Sequence, residues 1–227
     1  MVVNCIQIEY IAVIWWSELS EYFEEKIETA VQALKTGNVV VLPTDTLYGL
    51  TANALDVVAV EKIFTIKKRP AGMALPLLLA DPMDLTDWCR DIPELAWRLV
   101  ETLWPGPLSV ILYRADAIPD VVAGKGNTIA VRIPDHPVPR EVVRRLGAPI
   151  TGTSANISGQ EPPLNIDSVR EHLGEHIDYF IGEGNLPMGV PSTVIDLTRP
   201  VPLVVRQGAV SLNTLHEILG VAIDFDQ

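Results

Sequence analysis

Val39 to Leu42 is a β-branched apolar run that stops at Pro43 and passes directly into Thr44-Asp45-Thr46-Leu47-Tyr48-Gly49-Leu50. A strand that is apolar on both faces belongs inside a covered sheet. The dense hydroxyls after it then fall at the carboxyl edge of that sheet, where open α/β folds bind ligands. By itself the same segment also reads as a capped turn. A chain of 227 residues can bury such a core in one domain. Its 48% hydrophobic content excludes a disordered chain, and its 18 prolines and 15 glycines, spread without a period, exclude a coiled coil or collagen-like fibre.

The remaining pattern predicts an α/β fold. Phe23, Ile27, Ala30, Val31 and Leu34 recur at helical spacing, predicting a helix over 20–36 with Ser20 as its cap and Gly37 at its end. Asp56 is placed to cap a helix over 56–66, and Pro93 to open one over 93–103. Further helices are predicted near 137–146, 166–173 and 211–219. Strands are predicted at 39–42, 77–79, 108–113, 128–133, up to Thr151, and near 178–181, 193–197 and 202–206. Several strands follow one another without a helix between them, so a twisted mixed sheet with flanking helices is expected rather than a strictly parallel winding.

The apolar run Tyr10 to Trp16 lacks a preceding basic segment and is shorter than a membrane span. It is read as a packed strand in an N-terminal extension over 1–20, followed by one domain over 21–220 and a tail over 221–227. Cys5 and Cys89 are too few for a disulfide framework or a zinc site, which predicts a reducing, cytoplasmic setting and no membrane.

With 17 basic and 29 acidic residues the net charge is −12. That argues against extended nucleic-acid binding. Glu18, Glu21, Glu24, Glu25 and Glu28 read as a solvated face of the first helix. Against this background the cations stand out. Lys67-Lys68-Arg69-Pro70 either complements a helix C-terminus or clamps phosphate. Arg132, inside the β-branched strand Thr128 to Ile133, must meet an internal carboxylate or a substrate anion. Trp104-Pro105-Gly106-Pro107 reads as a rigid turn that packs an aromatic. Thr151-Gly152-Thr153-Ser154-Ala155-Asn156-Ile157-Ser158-Gly159 combines small residues with donors that let a ligand approach the backbone. It matches neither a Walker loop nor a dinucleotide fingerprint. Ser192, Thr193 and Arg206 repeat the pattern of hydroxyls and an arginine at strand ends. His136, His172, His176 and His216 lie outside these loops, and no nucleophile–histidine–acid order can be proposed. Such a site would act by positioning and by stabilising charge on phosphate and carboxylate.

Taken together, these segments resemble the YrdC/Sua5 (TsaC) family of L-threonylcarbamoyladenylate synthases. The motifs are Pro43 to Leu50, Lys67-x-Arg69-Pro70, Trp104 to Pro107, Val131 to Pro134, Ser154 to Gly159, Ser192 to Val194 and Arg206-x-Gly208. The resemblance runs from about residue 22 to about residue 219. It implies a single YrdC-like domain around a large concave cavity with a basic lining. It also implies a nucleotidyl transfer in which L-threonine, bicarbonate and ATP, with Mg2+, give threonylcarbamoyl-AMP and pyrophosphate. The product would pass to the machinery that installs N6-threonylcarbamoyladenosine at position 37 of tRNA. Carried over, Thr44, Thr46, Arg132 and Ser192 would seat L-threonine. Lys67, Arg69, Thr128, Ser154, Asn156 and Arg206 would hold ATP, with Lys67 and Arg69 catalytic. Ala71 to Leu75 lacks a second lysine that many members carry, Ala80 stands where some have histidine, and Glu161-Pro162-Pro163 replaces a small hydroxyl residue. The C-terminal domain of longer Sua5 members is not expected. The alternative is a nucleotide- or RNA-binding paralogue without synthase activity.

Overall fold

The computed structural model describes residues 23–182 and 189–225. The readings at Cys5, Tyr10 to Trp16, Ser20 and the extension over 1–20 lie outside the described residues.

The first helix, α1, is described over 23–35 and ends at Gly37, whose φ of +77° turns the chain out of the helix. Strand β1 (Val40–Leu42) follows, then β2 (Gly49–Thr51). Asp56 Oδ1 accepts from the Ala59 amide at 3.1 Å and so starts α2 (Val57–Lys67) as predicted. Helix α2 stops because Lys68 adopts the left-handed conformation at φ 49°, a region that few non-glycine residues occupy. After β3 (Leu77–Leu78) come α3 (Leu85–Trp88), β4 (Cys89–Arg90) and α4 (Glu94–Leu103), for which Pro93 is the residue before the first turn. The longest strands are β5 (Leu108–Arg114) and β6 (Thr128–Arg132). Helix α5 (Pro137–Leu146), strands β7 (Ile150–Thr151) and β8 (Thr153–Ser154), helix α6 (Ile166–Leu173) and strand β9 (Tyr179–Phe180) continue the chain. The described residues end with β10 (Thr193–Asp196), β11 (Leu203–Arg206), α7 (Leu212–Leu219) and β12 (Asp224–Phe225).

Among the described residues the strands form two mixed sheets. The smaller runs β8-β2-β1-β9 and the larger β12-β11-β10-β5-β6-β3-β7, with β4 added on β5. In the larger sheet parallel and antiparallel pairs alternate. An antiparallel bridge between Asn53 and Ile150 ties the two sheets together at the β2 and β7 ends. The sequence pattern foresaw neither β2 nor β8. Each is too short to show a period, and both lie in segments read as hydroxyl loops.

Strand β1 divides the interior. Val39 and Val41 face a core shared with α2, α4, α6 and α7, whereas Val40 and Leu42 face a second core under α1 and α5. That is the period of two expected for a strand buried on both faces. Each such side chain contributes about 1.5–3 kcal/mol on burial. Part of the acidic face of α1 is not merely solvated. Glu24 and Glu28 reach Arg145 of α5, at 2.5 and 3.9 Å, over the second core.

Candidate functional site

One face of the larger sheet forms the floor of a cavity of about 650 Å³. Side chains two apart along a strand share a face. Hence Ser109 and Ile111 of β5 lie beside Thr128, Ala130 and Arg132 of β6, and Val194 of β10 is in register with Ser109. The small residues Ser109 and Ala130 leave the floor open. Thr44, Thr46 and Tyr48 wall one side, Ser154 and Glu161 another, and Ser192 and Arg206 a third. A smaller cavity of about 190 Å³ adjoins it, sharing Arg69, Thr153 and Ser154 and lined in addition by Lys67, Asn156 and Ser158. The cations named from the sequence therefore converge. Arg69, Arg132 and Arg206 line the main cavity, and Lys67 and Arg69 line the smaller one.

Arg132 is 6% exposed and held on three sides. Its Nε donates to the Gly106 carbonyl at 2.9 Å, its Nη1 to Thr46 Oγ1 at 2.8 Å, and its Nη2 to Asp45 Oδ1 at 2.5 Å. The Trp104–Pro107 turn thus orients the arginine as well as packing an aromatic. Of the two readings of Arg132, the structure shows the internal carboxylate. The internal carboxylate is Asp45, and three of the five N–H donors of Arg132 are engaged among the described residues. Burial lowers the Arg132 pKa and Asp45 opposes that shift. Asp45 Oδ2 is buried with no partner among the described residues. The hydroxyls of Thr44 and Thr46 are bonded to each other at 3.1 Å, and Thr44 also donates to the Leu47 carbonyl at 2.6 Å. They hold the loop in shape while facing the cavity.

Lys67 is 2% exposed. Its ammonium donates to the main-chain oxygens of Ser154 and Asn156 and to Asn156 Oδ1. Those three bonds use its three donors. Ser154 Oγ also donates to Asn156 Oδ1, at 2.6 Å. The Ser158 amide returns a bond to the Lys67 carbonyl at 2.8 Å, so the 154–158 segment wraps the last residue of α2. Burial, and then the neighbouring charge of Arg69, lower the Lys67 pKa from 10.5 to about 8. The left-handed turn at Lys68 sends Arg69 back across the helix end. There Arg69 Nη2 donates to the Ala74 carbonyl at 2.9 Å, while its buried Nε has no partner among the described residues.

On the third wall, Arg206 Nε and Nη2 donate to the Ser192 carbonyl at 3.2 and 2.8 Å, and Nη2 reaches Ser192 Oγ at 3.1 Å. Ser192 Oγ lies 2.9 Å from Ser109 Oγ. Gly208 lets this corner close, because a Cβ there would sit 2.2 Å from the Pro191 carbonyl oxygen. Ser109 and Asp45 are the residues that sequence reasoning missed. Asp45 could have been found as the carboxylate that a strand-borne Arg132 requires. Ser109 carries no such signal, since one serine in an apolar strand is unremarkable. Of the three departures from the family pattern, Glu161 lines the main cavity while Ala80 is buried in the second core. Met73, in the stretch without the second lysine, lines the smaller cavity.

The fold and site together define a mixed α/β domain that gathers three arginines and a set of hydroxyls on one cavity. The comparisons make this specific. The Sua5/YciO/YrdC family profile, described as "Telomere recombination", matches residues 32–208, and the chain belongs to that family. It is 39% identical over 197 residues to the threonylcarbamoyl-AMP synthase of Pyrococcus abyssi, covering 87% of this chain and 58% of that protein. The chain therefore spans little more than half the length of that relative. The crystal structure of Pyrococcus abyssi Sua5 complexed with L-threonine superposes with a TM-score of 0.86 at 38% identity, over 89% of this chain and 59% of that one. Escherichia coli YciO superposes at 0.76 with 31% identity, over 83% of this chain and 92% of that one.

Proposed function

We propose that this chain is an L-threonylcarbamoyladenylate synthase. The observation that carries the reading is the convergence of Arg69, Arg132 and Arg206 on one 650 Å³ cavity, within the range of small-ligand sites. The names of the relatives and the L-threonine bound to Pyrococcus abyssi Sua5 support the choice of substrate.

In this reading L-threonine lies against Arg132, Thr46 and Ser192, its carboxylate taking the remaining donors of the Arg132 fork. The amine attacks bicarbonate or its dehydrated form to give the carbamate. A carbamate oxygen then bonds to the α-phosphorus of ATP as the bond to pyrophosphate breaks. Thr128, Ser154, Asn156 and Arg206 hold the nucleotide. Arg69 donates to the phosphates directly. Lys67 acts through its charge and by bracing Ser154 and Asn156, because its own donors are satisfied inside the protein. Preorganised donors of this kind stabilise transition-state charge without reorganising. The magnesium implied by the resemblance would enter with ATP as part of the substrate. Among the described lining residues Glu161 is the one carboxylate, and it could add a protein oxygen to magnesium that arrives on the ATP phosphates. The product would pass to a tRNA threonylcarbamoyl transferase. No helix among the described residues is long and apolar enough to cross a membrane.

The test is pyrophosphate release from ATP, measured with and without L-threonine and with and without bicarbonate. Release that needs all three supports the synthase. ATP binding with no threonine-dependent release supports the paralogue that keeps the cavity and lacks the activity.

A further inference from the structure

Ser109 of β5 sits on the cavity floor between two arginines. The β5–β6 register pairs Val110 with Val131, so the next position sets Ser109 opposite Arg132, and on its other side Ser109 pairs with Val194 of β10. Its Oγ lies 2.9 Å from Ser192 Oγ, and Arg206 Nη2 donates to that same Ser192 oxygen at 3.1 Å. Both serines line the cavity and are less than a tenth exposed. The hydrogens of this group can be counted. Two hydroxyls bring two hydrogens, and the bond between them uses one. Arg206 fills a lone pair of Ser192 and takes no hydrogen. Whichever serine donates to the other, one hydroxyl hydrogen is left over, and the described residues supply no acceptor for it. A buried donor left in this way costs of order 1–3 kcal/mol. The one carboxylate among the described lining residues, Glu161, stands on another wall. The acceptor must therefore come from a ligand. Its surroundings favour an anion: burial lowers the Arg132 pKa, and the charge of Arg206 is near enough to add to that lowering.

We infer that Ser109 is a direct ligand of the carboxyl group that bicarbonate contributes, donating its hydroxyl to the carbamate oxygen that does not attack ATP, while Ser192 donates to Ser109. The identity of that group rests on the synthase reading above. In that reading L-threonine lies against Arg132, Thr46 and Ser192, and Arg206 holds the nucleotide. The group that joins the threonine amine to the α-phosphorus then lies between them, over Ser109. One carbamate oxygen bonds to phosphorus as the bond to pyrophosphate breaks, which leaves the other oxygen for the floor. Ser109 keeps its hydrogen throughout. It acts by fixing the plane of the carbamate and by stabilising its charge.

The test compares the wild type, S109A and S109T in pyrophosphate release, with bicarbonate, L-threonine and ATP varied in turn. A hydrogen bond to a charged group is worth about tenfold to a hundredfold in affinity. S109A is expected to raise the KM for bicarbonate by about tenfold or more and to leave those for L-threonine and ATP within about twofold. S109T, which keeps the hydroxyl, is expected to stay within about threefold of the wild type. An unchanged bicarbonate KM in S109A, an equal rise for L-threonine, or a loss in S109T as large as in S109A would each overturn the inference, the last by assigning the effect to packing. Binding gives a readout that needs no turnover. N-carbamoyl-L-threonine, a stable molecule with a carbonyl where the carbamate would stand, is compared with L-threonine by calorimetry on the full chain. S109A is expected to lose about threefold to tenfold in affinity for the carbamoyl compound, the worth of a neutral hydrogen bond, and to bind L-threonine as the wild type does. Equal affinity of the wild type and S109A for the carbamoyl compound, or no binding of it by the wild type, would sink the subsite. A chain that shows this Ser109-dependent binding but releases no pyrophosphate from ATP would sink the synthase reading and leave the subsite standing.

Discussion

Lys67 and Asn156 are joined twice, the ammonium donating to the main-chain oxygen at 2.8 Å and to Oδ1 at 3.0 Å. A residue at the end of a helix thereby fixes a loop 89 positions away, and a cation that reads from sequence as a phosphate ligand is a brace as well.

Lys67 and Arg69 should separate in stability although both matter for activity. Lys67→Met strips three acceptors of their donor and should destabilise the fold by about 2–4 kcal/mol. Arg69→Ala should cost less than about 1 kcal/mol, since that guanidinium makes one bond, to Ala74. Both should lower threonine-dependent pyrophosphate release by about 10²–10³-fold. Urea unfolding and steady-state kinetics check the pair, and equal stabilities would refute the bracing role.

The depressed Lys67 pKa gives a direction for pH. Burial holds it at about 8, below the usual lysine value of 10.5. Between those values the unfolded chain binds the proton and the folded chain does not, so this group's unfavourable contribution is full below pH 8 and is relieved as pH rises towards 10.5. Activity should move the other way, because the charge at the phosphates is lost. Turnover is expected to fall above about pH 8 in the wild type, to fall at a higher pH in Arg69→Ala, where the neighbouring charge that helps lower the Lys67 pKa is gone, and to lack that limb in Lys67→Met. A flat wild-type profile to pH 9.5 would contradict the assignment.

Asp45→Asn removes the carboxylate of a pair in which both side chains are less than a tenth exposed. An uncompensated Arg132 should cost about 3–5 kcal/mol in denaturant unfolding. The surviving folded protein should show a raised KM for L-threonine, because the fork loses the contact that fixes its plane. Wild-type stability would mean that Asp45 is not the compensating charge.

Gly208→Ala places a methyl group 2.2 Å from the Pro191 carbonyl oxygen and 2.5 Å from the Ser192 carbonyl carbon. The 191–193 backbone must shift, at a cost of about 1–3 kcal/mol for overpacking. With it move Ser192 and its bonds to Ser109 and Arg206. An increase of about tenfold in KM for L-threonine, with a lowered thermal midpoint, is expected; unchanged kinetics would show that this corner tolerates movement.

Local chemistry made much of this protein legible. Asp56 before a helical period, the β-branched run ending at Pro43 and the strand bearing Arg132 were all readable, because caps, periods and buried charges obey rules that span a few residues. So were the site segments, whose order and spacing carried the family resemblance. Tertiary structure decided the rest. It divided the strands into two sheets, because β8, two residues long, pairs only when a segment about a hundred positions away, β2, meets it. It gave Asp45 to Arg132, placed Ser109 beside Ser192, and committed the Lys67 donors to the protein itself. Each of these is a contact between residues more than 80 positions apart. Sequence named the polar groups that needed partners; only the folded chain decided which found them internally and which, at Arg69 and Ser158, were left facing a cavity.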